Sequence, residues 1–120
     1  MRQVLVVDDK PSSRELIRAV LESSGYTVSE AGDGQEAVRI AEQIEPDAIL
    51  LDLQMPALDG FGVLKRLRAD PRFAALPIVA LTASAMQGDR EKALAAGFTS
   101  YISKPVTLKA LRAELARLLP

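Results

Sequence analysis

The stretch ILLDLQMP, residues 49–56, decides how the chain is read. Ile49, Leu50, Leu51 and Leu53 make the near-continuous apolar run of a strand buried on both faces, which belongs to a parallel sheet rather than a half-exposed one. Asp52 interrupts that run near its end. An isolated buried carboxylate either costs several kcal/mol or shifts its pKa until it is neutral, so Asp52 needs a partner or a task.

On either side of this strand, short apolar runs alternate with amphipathic segments. A first strand spans 2–7 and stops at Asp8-Asp9. A helix follows with Pro11 in its first turn, a capping-box spacing of Ser12 with Glu15, an apolar face of Leu16, Ile17, Val20 and Leu21, and Gly25 at its end. A weaker strand covers 26–31, and after Asp33-Gly34 a second helix carries Ala37, Val38, Ala41 and Ile44. The central strand is 48–53. Beyond a loop with Pro56 and Asp59-Gly60, a third helix presents Val63, Leu64 and Leu67 until Asp70-Pro71 breaks it. A fourth strand at 78–82, a short helix at 89–96 closed by Gly97, a fifth strand at 98–103 and a last helix complete the pattern. Thr107 caps that helix, and Leu108, Leu111, Leu115 and Leu118 line it. Strands and helices alternate through short connections, which imposes right-handed crossovers and a parallel sheet with helices on both faces. The reading is a three-layer α/β/α domain that fills residues 1–120.

Composition narrows the chemistry. With 120 residues and 48% apolar content the chain fits one folded domain. It has neither cysteine nor histidine, so disulfides, thiolate chemistry and the commonest general base are absent, and carboxylates, hydroxyls and lysines remain. Fifteen basic against sixteen acidic residues give a net charge of -1, which does not favour nucleic acid or an anionic membrane as a direct partner. No run approaches the roughly 20 apolar residues of a membrane span, and a cytoplasmic location is the default expectation.

In open parallel sheets, ligands bind beyond the carboxyl ends of the strands. There the first strand delivers Asp8 and Asp9, the third Asp52, the fourth Thr82 and the fifth Lys104. Three clustered carboxylates raise one another's pKa unless a cation intervenes, and an all-oxygen ligand set with few carboxylates suits a hydrated Mg²⁺. Such an ion receives anions, and Lys104 and Thr82 suit the charge and oxygens of a phosphoryl group. Asp52 is then either a ligand or a nucleophile toward phosphorus.

The set VVDD (6–9), LLDLQMP (50–56), LTA (81–83) and YISKP (101–105), in this order and across essentially the whole chain, resembles the receiver domain of two-component response regulators, the CheY-like family. The resemblance implies a flavodoxin-like sheet of five parallel strands in the order 2-1-3-4-5 with five helices. It implies that Asp52 accepts a phosphoryl group from a histidine kinase or phosphotransfer protein. Mg²⁺ is then held by Asp8, Asp9, Asp52 and the backbone carbonyl of Gln54, with Thr82 and Lys104 on the phosphoryl group. Tyr101 matches the aromatic switch position that responds to Thr82 and rearranges the surface of helix four, strand five and helix five. That surface is where a downstream protein or a second copy of the chain would bind. Lys104-Pro105 matches the family's cis peptide. Such a domain is a switch that assists its own phosphorylation and dephosphorylation, not a turnover enzyme on an external substrate.

Singly, Asp8 or Asp9 reads as a cap, Thr82 as a β-branched strand residue, Lys104 as a solvated strand end and Tyr101 as a half-buried aromatic; only their convergence favours a site. Lys10 and the charged sets Arg90, Glu91, Lys92 and Arg112, Glu114, Arg117 read as solvated, Asp59-Gly60 as a turn, and Met55-Pro56 as loop-shaping. A haloacid-dehalogenase-type phosphatase places its nucleophile on the first strand with a second aspartate two residues on, where this chain has Gln54 after Asp52. A nucleotide or flavin binder needs a glycine-rich loop after the first strand, and VVDDKPSSRE (6–15) has no glycine. The remaining alternative is a docking or dimerisation module that is never phosphorylated. The resemblance does not distinguish a stand-alone regulator from a piece of a longer kinase or regulator. In such domains the positions of Gln54 and Ser84 tune phosphoryl lifetime through the attacking water. Gln54→Ala and Ser84→Ala should each change the autodephosphorylation rate without abolishing phosphorylation; equal decay rates in both variants and wild type would contradict this.

Overall fold

The computed structural model describes residues 2–53, 55, 59–82 and 89–119. Its sheet has five parallel strands: β1 (Gln3–Val7), β2 (Thr27–Ala31), β3 (Ala48–Asp52), β4 (Ile78–Thr82) and β5 (Ser100–Ser103), in the order β2-β1-β3-β4-β5. The order agrees with the one the resemblance implies. Every residue of β3 and β4 is buried, the polar Asp52 and Thr82 that end them included. Alternation along the strands divides the core. Leu5, Val7, Ile49, Leu51, Ile78 and Ala80 face helices α2 (Gly34–Ile44), α3 (Gly60–Arg68) and α4 (Asp89–Ala96). Val4, Val6, Leu50, Val79 and Leu81 face α1 (Pro11–Ser23) and α5 (Leu108–Leu118) through Ile17, Leu21, Leu111 and Leu115. Each large side chain fully buried this way contributes roughly 1.5–3 kcal/mol.

Helix ends set where the strands' carboxyl termini emerge. Pro11 is the first residue of α1 and Lys10 its N-cap, which uses no side-chain cap. The Ser12–Glu15 capping box expected from spacing is therefore not formed: the chain turns straight from Asp9 into the helix, and Ser12 already lies inside it. Leu16 is 61% exposed, so the buried stripe of α1 is Ile17 and Leu21, with Val20 beside it. One helical step of about 100° separates Leu16 from Ile17 and carries it off the stripe. Gly25, at φ 92°, ends α1: its amide reaches Glu22 O while that of Tyr26 reaches Leu21 O, a Schellman arrangement. The same pattern closes α4 at Gly97, φ 118°, with Phe98 bonded back to Ala93 O. Asp33 and Thr107 cap α2 and α5 through their side chains. Asp59-Gly60 is more than a turn, for Asp59 caps α3 by accepting from the Gly62 amide at 2.9 Å.

Arg68, the last residue of α3, ties three segments together. Its Nη1 donates to Phe73 O and Leu76 O, both at 2.7 Å, and its Nη2 and Nε donate to Gly97 O at 3.0 and 3.2 Å. Burial lowers the guanidinium's pKa, but no ordinary pH discharges an arginine. Hydrogen bonds to charged groups are worth about 1.5–3 kcal/mol each at best, and here losing the donor strands several carbonyls at once. Arg68→Ala should lower the unfolding free energy by about 2–3 kcal/mol in urea titrations. Arg68→Lys should recover less than half of that, because an ammonium cannot span both sets of carbonyls.

Candidate functional site

Parallel strands leave the sheet on one side, and the polar residues that end them meet there. Asp8 follows β1, Asp52 is the last residue of β3, and one carboxylate oxygen from each of Asp8, Asp9 and Asp52 lies within 4.8 Å of the others. Asp8 and Asp52 are buried and Asp9 is half-buried. Lys104, just past β5, donates from Nζ to Asp8 Oδ2 at 2.9 Å and to Asp52 Oδ2 at 3.1 Å. The other Asp8 oxygen accepts from the Lys10 amide at 2.9 Å, and the Ser13 side chain also bonds this carboxylate.

Charge is not balanced within the cluster: three carboxylates against one ammonium leave an excess of two negative charges when all are ionised. Burial is the largest influence on Asp8 and pushes its carboxyl up. Hydrogen bonds from Ser13, the Lys10 amide and Lys104 outweigh it and hold the carboxyl below its ordinary value. Burial likewise pulls Lys104 down, but its bonds to Asp8 and Asp52 leave it above the ordinary lysine value. Asp9 Oδ1 is buried with no hydrogen-bond partner among the described residues. An orphaned carboxylate oxygen on a residue clustered with two other carboxylates has the donor chemistry of a hard divalent cation site, and Mg²⁺ fits it.

Thr82 is the buried last residue of β4, and its carbonyl accepts from the Lys104 amide at 2.6 Å. Tyr101 is half-buried on β5 opposite Ala80 and packs against the α2–α3–α4 core. With Ile102, Ser103, Pro105, Thr107 and Glu114 it lines a groove between β5 and α5. The Lys104–Pro105 peptide bond is cis. Gln54, Ser84 and Pro56 lie outside the described residues. Met55 is buried in the core on the α2–α3–α4 face of the sheet.

Sequence reasoning missed several residues. Ser13 and Arg14, in the first turns of α1, both reach back to Asp8: Ser13 to its carboxylate, Arg14 to its carbonyl at 2.7 Å. Polar side chains one turn after an acidic pair were the available signal. Gly60 is another. A Cβ there would lie 2.8 Å from both Asp52 O and Leu53 Cα, backbone atoms that cannot swing aside, so only glycine lets α3 start against the end of β3. Glu114 is no solvated residue either; it accepts from Ser100 Oγ at 2.7 Å and pairs with Arg117. Arg112 bonds Ser23 and Ser24 across to α1.

Fold and pocket together define a class: a doubly wound parallel α/β domain whose acidic pocket, at the carboxyl ends of its strands, has the donors of a hard-cation site. The chain belongs to the response regulator receiver domain family, whose family model matches residues 4–116. Domains of this family are signalling switches of two-component systems and generally not turnover enzymes. The DNA-binding dual master transcriptional regulator RpaA of Synechocystis is 38% identical over 119 residues, 99% of this chain and 49% of that protein. The chain thus spans about half the length of that relative. The polar-differentiation response regulator DivK of Brucella anthropi is 37% identical over 107 residues, covering 89% of this chain and 87% of DivK. Among solved structures, the receiver domain of a sensor histidine kinase from Pseudomonas aeruginosa superposes with a TM-score of 0.90 at 43% identity, covering 98% of this chain and 96% of that one. That structure carries a magnesium ion coordinated in its active site cleft.

The displaced pKa values of Asp8 and Lys104 each contribute to the pH dependence of the metal-free protein. Asp8, held low, stabilises the fold above the ordinary carboxylate range, and that contribution disappears as pH falls through its depressed value. Lys104, held high, stabilises below the ordinary lysine range and ceases to do so as pH rises through its raised value. Lys104→Met removes the one ammonium shared by two buried carboxylates and should cost about 3 kcal/mol at neutral pH. Urea unfolding in chelator should show the gap between variant and wild type shrinking at both acid and alkaline extremes; a pH-independent gap would contradict the ion-pair origin.

Proposed function

We propose that this chain is a phosphoacceptor switch that takes a phosphoryl group onto Asp52 from a phosphohistidine of a histidine kinase or phosphotransfer protein. The observation that carries this reading is the position of Asp52: buried at the end of the central strand, within 4.8 Å of two other acids and bonded by Lys104. In the transfer, an Asp52 carboxylate oxygen attacks phosphorus and the P–N bond to the donor imidazole breaks. The imidazole departs with the electron pair and takes up a proton, leaving a mixed anhydride on Asp52. Asp8, Asp9, Asp52 and the Gln54 carbonyl are the proposed holders of Mg²⁺, which when bound supplies neutralisation of charge on the phosphoryl oxygens. Lys104, already beside the acceptor, supplies a second positive charge to the same oxygens.

Signalling needs a contact that differs between the two states, because a ligand shifts an equilibrium only by its differential interaction. The Thr82 hydroxyl bonding to the phosphoryl group is the proposed contact. Tyr101, on the neighbouring strand, carries the change into the groove between β5 and α5. The proposed downstream protein partner, or a second copy of this chain, reads the α4–β5–α5 surface. Residues 1–120 act in this reading as one receiver domain, and the compartment is the cytoplasm. Among the described residues no helix is long and apolar enough to cross a membrane. The competing role, a docking module that is never phosphorylated, makes no use of the acid cluster. Incubation with acetyl phosphate and Mg²⁺ followed by intact-mass measurement separates the two. Wild type should gain one phosphoryl group and Asp52→Asn none; no gain in either protein would favour the docking module.

A further inference from the structure

β1 stops pairing with β2 at Val7, but the main chain of Asp8 is still held at both of its polar groups. Its amide donates to Ala31 O at 3.2 Å, and its carbonyl accepts from Arg14 Nη1 at 2.7 Å. The guanidinium takes over where the strand ladder ends. It is itself fixed from two sides. Glu30, on β2, accepts from Arg14 Nε at 3.3 Å and from Arg18 Nη1 at 2.6 Å, and Arg18 in turn bonds Glu22. On the other side Gly32 leaves just enough room, since a Cβ there would stand 3.3 Å from Arg14 Nη1. Arg14 and Glu30 are largely covered, with side chains 20% and 25% exposed.

The carbonyl that Arg14 grips belongs to the planar peptide unit joining Asp8 to Asp9. Fixing that plane fixes where the Asp9 Cα sits and so the point from which its carboxylate leaves the chain; Asp9 Oδ1 is buried and unpartnered among the described residues, and one oxygen of this carboxylate lies within 4.8 Å of those of Asp8 and Asp52. From this juxtaposition we infer that Arg14 is a positioning residue for the cation site: through the Asp8 carbonyl it aims the Asp9 carboxylate, and divalent-cation affinity depends on it. The inference rests on the reading of the acid cluster as a Mg²⁺ site. Its sign separates it from a plain charge effect. A guanidinium this close to a bound cation repels it, so if charge alone mattered, removing Arg14 would tighten binding. Loss of positioning weakens it.

The experiment is titration with Mn²⁺, followed through the paramagnetic resonance signal of the free ion, on the full chain. Arg14→Ala should weaken binding about tenfold, the usual consequence of losing a partner that orients a metal ligand. Arg14→Lys, which keeps a donor for the carbonyl, should recover part of the loss. Arg18→Ala, which breaks the outer bonds only, should match wild type. Gly32→Ala retains every charge but crowds the guanidinium, and should weaken binding by a smaller factor. Phosphorylation of Arg14→Ala by acetyl phosphate should need more Mg²⁺ yet approach the wild-type rate at saturation, a split that general destabilisation would not give. Wild-type or tighter Mn²⁺ affinity in folded Arg14→Ala overturns the inference. Should that variant fail to fold in chelator, wild-type affinity in Gly32→Ala overturns it instead. If wild-type protein binds no Mn²⁺, the cation-site reading itself fails, and the inference with it.

Discussion

One ammonium group shared between two buried carboxylates organises this molecule. Lys104 joins Asp8 to Asp52 across 96 and 52 positions of sequence, and it does so at the point where strands β1, β3 and β5 leave the sheet. Both carboxylates are buried, so water solvates and screens neither charge well. A single cation cannot neutralise three acids. Its shortfall of positive charge is the property that makes the pocket receptive to a divalent cation.

The surroundings serve to hold that unfavourable arrangement in place. Asp8 is anchored through its amide, its carbonyl and both carboxylate oxygens. The end of β3 is backed by α3, whose start at Gly60 lies against the Asp52 carbonyl too closely for any side chain. Asp52 thus has little freedom of main-chain position, which fixes where its carboxylate enters the acid cluster. The hydrophobic layers on each face of the sheet supply the stability against which this concentration of like charge is tolerated.

The sheet was legible in the sequence because its signal is redundant. The runs at Val4–Val7 and Ile78–Thr82 and the unusual ILLDL each predict a doubly buried strand, and the strand-end polar residues fall where a parallel sheet must gather them. What was not legible depended on angles rather than identities. Leu16 belongs to the apolar pattern of α1 by spacing, yet one residue's rotation leaves it in water. Ser12 and Glu15 have capping spacing, but Pro11 opens the helix earlier and denies them that role. Glu114 and Arg14 look like surface charges among many, and only the approach of β5 to α5, and of α1 to the end of β1, turns them into parts of the structure. Local patterns report which face a segment buries; they do not report which distant backbone carbonyl a long side chain will find.

The bonds from Arg68 to Gly97 O give α4 the mechanics of a lever. They fasten the helix just past its C-terminal end to the body of α3, and the turn at Gly97 with Phe98 set edge-on against Phe61 makes a fulcrum. Any rotation of α4 that keeps these bonds leaves its last turn nearly stationary. With eight residues the helix is about 12 Å long, so a tilt of roughly 10° sweeps its other end through about 2 Å. Displacement is thereby graded along the helix, smallest beside Gly97 and greatest at the end that follows Thr82 in the chain.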